Sequence, residues 1–563
     1  MVLAEVIVDA GGWALDKELT YEVPSSLAGL VRIGSVVRVR LRNRRVRGWV
    51  VGISRFDPPP PAAEMPANLQ PIAAVSGRGP VFDEALLKMA RSLSRYYVQP
   101  LSSFLSLFTP ARLGRPLREW PAMGKVFTPL GGDPEGVSML VRLPPQEDPL
   151  GRYVAAIKIQ LGLGAGVIVA VPEVREGSRI LEKLAAEFPD DAAIVHSGRD
   201  EKDRSDDLWA VAEGRKRLVL GGRGALFAPA FPLGLIIVHQ EHDPSFKDQR
   251  APYCDARQAG RARVAATGGV LKLNSTTPSL TSMALYAASG AFEEPERAGE
   301  RAGWPIVETV DPPKTGIARR LTASIIEART KGHKALILMP RVKATRAGPG
   351  PGEVEHFLSR VVPGAIIARA DRPALGDEPG ALAAALDADV VIATEAALTE
   401  IERPQVPLGI AVGVDSYFLN PTGRAAEDAF AALWALGGLV SGQRPRGRLL
   451  LETGNPGDHV IQALVRGDYG FFAKFELKER SMNDAPPFRT LIKLKLRQWP
   501  SDELIQALST LPGTDILGPA PGGRLGVEIL LKVTSIEPIL DGLGTIVRQS
   551  PERILVEMEP KQW

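Results

Sequence analysis

Cysteine is almost missing from this chain: Cys254 stands alone among 563 residues. One thiol can form neither an internal disulfide nor a thiolate-based zinc site, so burial and hydrogen bonding must hold the fold. Long apolar runs are missing too, none approaching the roughly 20 residues that a membrane helix needs. The opening MVLAEVIVDAGG carries acids where a secretory signal would carry Lys or Arg, so a cytoplasmic protein with no membrane partner is expected. The string GxxxxGK[ST], in which glycine N–H groups and a lysine cradle a triphosphate, occurs nowhere. Finally, acids are absent between Arg32 and Arg47, a stretch that holds seven arginines.

What is present reads as several globular domains. At 563 residues the chain has room for about three to five, each able to bury a core. Its 45% apolar and 24% charged composition is ordinary, and a net charge of +3 says little about partners. Residues 1 to about 56 carry short strand signals separated by Gly- and Pro-marked turns: VIV, TYEVP, SVVRVRL and GWVVGI. A Pro-rich connector follows, then a helical pattern from Asp83, a candidate N-cap, broken at Pro100. From about 151 the rhythm alternates helix and strand. GVIVAVP, RLVLGG and LGLIIVH are continuous apolar strands, the signature of a parallel sheet covered on both faces. KALILMP, ADVVIAT, LGIAVGV and GRLLLET repeat that signature between about 316 and 455. The remainder reads as α+β, with Phe471, Phe472 and Phe475 at the helical spacing of a core face.

Several strings occur in a telling order: HSGRDEKDR, GGRGALFAPAFPLGLIIV, EHDPSFKDQRAPYCDAR, STTPSL, PTGRAAEDAF, NPGDHVIQALVRGDY and APPFRTL. With LTYEVPSSL, VRIGSVVRVRL and GWVVGI before them, the chain resembles the primosomal protein N-prime (PriA) family of replication-restart helicases along nearly its whole length. The resemblance implies a multidomain α/β protein. Residues 1–111 would form a domain for a DNA 3′ end, 112–150 a shortened winged-helix region, and 151–300 and 301–455 two RecA-like lobes. Residues 456–563 would form a C-terminal α+β domain. Zinc and ATP are the family's cofactors, and the motifs for both are missing here. The stretch from Pro340 to Glu353 replaces the cysteine-rich insertion, and Leu19–Thr20–Tyr21 replaces an aromatic–Asp–Tyr that meets the 3′-hydroxyl.

The engine parts are altered in three places. In ATP-driven motors one strand ends in an Asp that holds magnesium and a Glu that activates water. LGLIIVHQEHDPSFK has that layout with His239 and Gln240 at those positions, followed by Glu241 and His242. A Gln is no general base, and imidazole suits a hard cation poorly. His239, Glu241, His242 and Asp243 offer zinc-ligand types, but positions i and i+3 of a strand end face opposite ways, so no metal is expected. The phosphate loop's place reads LPPQEDPLGRY, where prolines remove donors and Glu147 and Asp148 repel phosphate. In the second lobe LVSGQRPRGR puts Gln443 where a charge-stabilising arginine belongs. No ATP hydrolysis is expected. STTPSL could couple the lobes or simply cap a helix.

Positive chemistry is clearest in SVVRVRLRNRRVRGWVV. On a strand Arg38, Arg40 and Arg42 project to one face while Val37, Val39 and Leu41 face a core. After a turn near Asn43 and Arg44, Arg45, Arg47 and Trp49 share a face of the next strand. Guanidinium forks suit phosphate oxygens, and Trp49 and Tyr21 are candidates for stacking on bases unless the core claims them. The helix around Arg91, Arg95, Tyr96 and Tyr97 could extend this surface or pack under the sheet. The expectation is a cytoplasmic, nucleoid-associated binder of forks and single-strand/duplex junctions that works with replication-restart and helicase-loading proteins. An active ATP-dependent 3′→5′ helicase is the alternative.

Overall fold

Alternating apolar residues at the N-terminus build a small sheet. The computed structural model describes residues 1–9, 11–42, 44–56, 69–116, 136–172, 179–295, 301, 303–313, 317–340, 349–371, 381–398, 406–419, 422–440, 446–523 and 526–561. β1 (Val2–Val8), β2 (Leu19–Glu22), β3 (Val36–Leu41), β4 (Arg44–Arg55), β5 (Gln70–Pro71) and β6 (Ala74–Ser76) order as β5-β2-β1-β4-β3-β6. Val6, Val8, Val37, Val39 and Val50 are buried on one face with Tyr21 and Ile72. Helix α1 (Glu84–Tyr97) begins where expected: the Asp83 carboxylate accepts from Leu86 N at 2.9 Å. It ends at Val98, whose φ of 49° is left-handed, and Pro100 follows.

The next sheet is parallel, and its inner strands are apolar because both faces are covered. After β7 (Val137–Arg142) come β8 (Gly166–Ala170), β9 (Ala192–Val195), β10 (Leu218–Gly221), β11 (Leu233–His239) and β12 (Val270–Ser275), ordered β12-β11-β8-β10-β9. Helix α2 (Leu150–Gly162) buries Tyr153, Ile157 and Leu161 against it. Helix α3 (Ala256–Thr267) is capped by Asp255.

The chain packs as two units. Residues 1–139, 150–274 and 489–560 form one, and 140–149, 275–488 and 561–563 the other. The second unit opens with β13 (Phe292–Glu293), which pairs with Leu140 and Val141. Its parallel sheet contains β14 (Ile306–Val310), β15 (Ala335–Met339), β16 (Ile367–Ala370), β17 (Val390–Thr394), β18 (Leu408–Ala411) and β19 (Arg448–Glu452), ordered β14-β19-β18-β15-β17-β16. Helices α4 (Ala425–Val440), α5 (His459–Arg466) and α6 (Tyr469–Met482) cover one side. An aromatic stack fills the space: Trp304 and Trp434 centroids are 4.1 Å apart, and Phe430 and Phe472 4.2 Å. A Cβ on Gly437 would meet the Trp304 ring at 2.3 Å, so only glycine lets the indole lie against α4.

The first unit is completed by β20 (Thr490–Leu496), β21 (Thr514–Gly522), β22 (Gly526–Val533) and β23 (Leu555–Met558), ordered β21-β22-β20-β23, with helix α7 (Leu540–Gln549). Arg95 on α1 grips α7: Nε and Nη2 donate to Asp541 at 2.8 and 3.0 Å, and Nη1 to Glu537 at 2.6 Å. Lys247 donates to the Met558 carbonyl, and Gln99 to that of Val556 at 3.0 Å. Arg95 and Tyr97, possible extensions of a DNA surface by sequence, are thus occupied in packing. Tyr97 is buried, and its hydroxyl accepts from Asp255 N at 2.8 Å. Among the described residues no helix is long and apolar enough to cross a membrane.

A buried ionic chain ties the STTPSL turn to α4 and α6. The Glu427 carboxylate accepts from Leu280 N at 2.8 Å and pairs with Arg480 at 2.9 Å and Arg424 at 3.4 Å. Arg480 in turn meets Glu476 at 2.8 Å. Burial pushes the Glu427 carboxyl up, but the Arg424 and Arg480 charges outweigh it and hold it at about 2, against an ordinary 4.5. Folding therefore favours the ionised form. That stabilisation is complete above about pH 4.5 and is lost as pH falls through 2. Glu427→Gln is expected to destabilise the second unit by about 3 kcal/mol at neutral pH, because buried Arg480 keeps only Glu476 and half-buried Arg424 loses the Glu427 charge. It should also flatten the fall in stability from pH 4.5 to 2; urea titrations across that range giving the wild-type slope would contradict this.

Candidate nucleic-acid interface

The β3–β4 hairpin sets arginines opposite arginines. Register pairs Arg38 with Arg47, Val39 with Val46, Arg40 with Arg45 and Leu41 with Arg44. The Arg38 carbonyl accepts from Ala73 N at 2.9 Å and the Arg47 carbonyl from Asp9 N at 2.8 Å, so both point away from the partner strand. Arg38 and Arg47 are therefore a non-hydrogen-bonded pair, the kind in which side chains come closest. Arg40 and Arg45, two residues along, share that character. Four guanidinium groups occupy one face, while Val37 and Val39 fill the core on the other. Arg47 is held by Asp9, with Nη2 at 2.6 Å and Nε at 2.9 Å from one carboxylate oxygen. Arg38, Arg40 and Arg45 are exposed or nearly so and have no acidic partner among the described residues.

Four expected members stand elsewhere. Arg42 is not on a strand: it opens the two-residue turn, with a φ of 44°. Arg44, opposite Leu41, points to the other face. Trp49 is 0% exposed, and its Nε1 donates to Thr109 Oγ1 at 2.9 Å. Tyr21 is 4% exposed, and its hydroxyl donates to the Arg40 carbonyl at 3.1 Å. Neither ring has a face left for a base, which corrects the stacking expectation. The unbroken GWVVGI was the available clue, since strand residues buried on both faces lose their polar alternation. Asp9 carries no signal in the sequence, because only the β1–β4 register brings it beside Arg47.

The end of β11 is polar but closed. His239 Nδ1 lies 3.0 Å from the Tyr153 hydroxyl of α2, the rings meeting edge to face. Gln240 sits in a turn with φ 52°, so its side chain leaves the strand direction. Glu241 is 0% exposed and 3.6 Å from Arg257, and His242 is half-buried. Among the described residues His239, Glu241, His242 and Asp243 do not converge as a ligand set. The group that does, His459, Glu476 and Glu479 within 4.8 Å, already has Arg480 on Glu476. The segment 143–149, where the resemblance leads one to expect a phosphate loop, forms a turn in which Glu147 N donates to the Pro144 carbonyl at 3.1 Å. It packs on α4: a Cβ at Gly438 would lie 2.8 Å from the Pro145 carbonyl oxygen. Neither His239 nor Gln240 supplies a carboxylate to hold magnesium or to activate water. Gln443 lies outside the described residues, as do 117–135 and 341–348.

The chain is similar to known proteins over most of its length. The family model for the PriA 3′DNA-binding domain (3′BD) matches residues 5–110. The replication restart protein PriA of Treponema pallidum is 25% identical, over 92% of this chain and 93% of its own. The probable PriA of Mycobacterium bovis is 26% identical, over 91% and 90%. The chain is PriA-like. The PriA of Synechocystis, 26% identical, aligns over 71% of this chain but only 59% of its own length. Among solved structures, RecG bound to a three-way DNA junction covers 62% of this chain and 45% of its own, at 16% identity and a TM-score of 0.40.

In this PriA-like chain the matched segment contains the whole guanidinium face. Like charges directly across a strand pair oppose folding, and one acid, Asp9, offsets only part of the repulsion. Arg40→Thr should therefore raise the thermal midpoint at low salt. The gain should vanish in high salt, where exposed charges are screened; a midpoint that falls, or a gain independent of salt, would speak against crowding.

Proposed function

We propose that this PriA-like chain binds branched DNA through the face formed by Arg38, Arg40, Arg45 and Arg47, and serves replication restart as a fork binder and loading platform. One observation carries the reading: three guanidiniums without acidic partners among the described residues, beside a fourth, share one face of a domain matched by the 3′DNA-binding model. Arginine forks meet phosphate oxygens in pairs, and phosphates carry no sequence information, so binding would follow structure and salt rather than base order. Arg42, at the hairpin tip, and Arg44, on the reverse face, would contribute less. The partners would be forks, single-strand/duplex junctions and the proteins that reload a replicative helicase.

The motor is read as lost. Tyr153 holds His239 at the metal position, Gln240 replaces the base, and the 143–149 turn presents prolines where a cradle needs donors. Losing such parts costs orders of magnitude in rate, so fork binding would not be coupled to hydrolysis.

Replacing Arg38, Arg40 and Arg45 with Ala should weaken binding of a labelled fork by about tenfold or more and reduce the salt slope by roughly 0.9 for each phosphate no longer neutralised. Unchanged anisotropy titrations would reject the interface. Separately, the purified chain with magnesium and fork DNA should release no phosphate from ATP above the background of a denatured sample. Turnover abolished by a substitution at His239 or Tyr153 would instead establish an ATPase and favour the active-helicase alternative.

A further inference from the structure

Helix α6 carries an outward face that neither the hairpin nor the β11 end explains. Its sequence repeats one ring and one lysine per turn: Phe471 with Lys474, then Phe475 with Lys478. The inward face takes Tyr469, Phe472, Ala473, Glu476 and Arg480, so the helix already has its core contacts. Phe475, expected in the core, is 42% exposed, and Phe471 is half-buried beside it. Their ring centroids are 4.5 Å apart, and the Arg466 guanidinium lies 4.4 Å from the Phe471 centroid. Cation, ring and ring thus form a short column. Lys474 and Lys478 are exposed beside it with no acidic partner among the described residues.

The ligand that fits has flat faces and a regular negative charge. A helical protein partner would need an unbroken apolar seam, but charge interrupts it here: Lys478 lies seven after Phe471, and Lys478 and Glu479 stand between Phe475 and the exposed Met482. Single-stranded nucleic acid offers a base to stack on the exposed Phe475 ring, which Phe471 and Arg466 back, and phosphates at a spacing that Lys474 and Lys478 can neutralise. We propose that α6 is a stacking platform for single-stranded nucleic acid, with a base on Phe475 and backbone phosphates against Lys474 and Lys478. This binding face is separate from the hairpin and does not rest on it.

The test uses the full chain and a labelled oligothymidylate, measured by anisotropy in the Arg38/Arg40/Arg45→Ala background. Phe475→Ala should weaken binding about five- to tenfold with little change in salt slope, and Phe475→Trp should retain or improve it. Lys474→Gln with Lys478→Gln should lower the slope by about 0.7 per lysine. Matching melting curves would confirm that these exposed substitutions leave the fold intact. If the hairpin reading fails, the background binds like wild type, and the Phe475 comparison still decides the α6 proposal. Equal affinity with and without Phe475 overturns it and leaves this face to a protein partner.

Discussion

Two strands held at a fixed register bring four positive charges to one face, and the rest of the N-terminal domain is built to tolerate that. Cross-strand like-charge pairs cost roughly 0.2–1 kcal/mol each. Full burial of a valine contributes about 1.5–3 kcal/mol, and Val37, Val39 and Val50 are all buried beneath the hairpin. Burial wins, so the hairpin closes despite the repulsion. Trp49 adds to the same side of the balance by giving its ring to the core and its N–H to Thr109. An anion on this face would offset part of that cost, since whatever binds only the folded domain stabilises it.

The end of β11 shows the converse. A strand end in a parallel sheet gathers polar side chains at the carboxyl edge, a common place for chemistry. Here those side chains are turned inward on their own lobe: His239 to Tyr153 and Glu241 to Arg257. These two pairs tie the strand end to helices α2 and α3. Architecture by itself therefore does not state the chemistry at a sheet's edge.

Hydrogen bonds and ion pairs also show how the first unit is assembled. Arg95, Gln99 and Lys247 fasten the last sheet to helix α1 and to the loop after β11. Exposed pairs of the Arg95 kind contribute little singly, but a fork that meets two carboxylates fixes direction as well as distance. The surface helix around Arg95 and Tyr97 is in this way given over to assembly.

Sequence by itself determined the layout of sheets, the Asp83 cap, the alternation of arginine and valine on β3, and the missing triphosphate loop. Each follows from local periodicity or from residue chemistry that no fold can alter: glutamine remains no base wherever it sits. Tertiary structure alone decided which arginines share a face and stay unpaired. It sent Arg42 into the turn and Arg44 to the reverse side, and paired Arg47 with Asp9. It also buried Trp49 and Tyr21 and left Phe475 in water. Strand parity and helix period state which residues point the same way, but not what lies opposite them. That depends on register and on neighbours distant in sequence, which only the folded chain brings together.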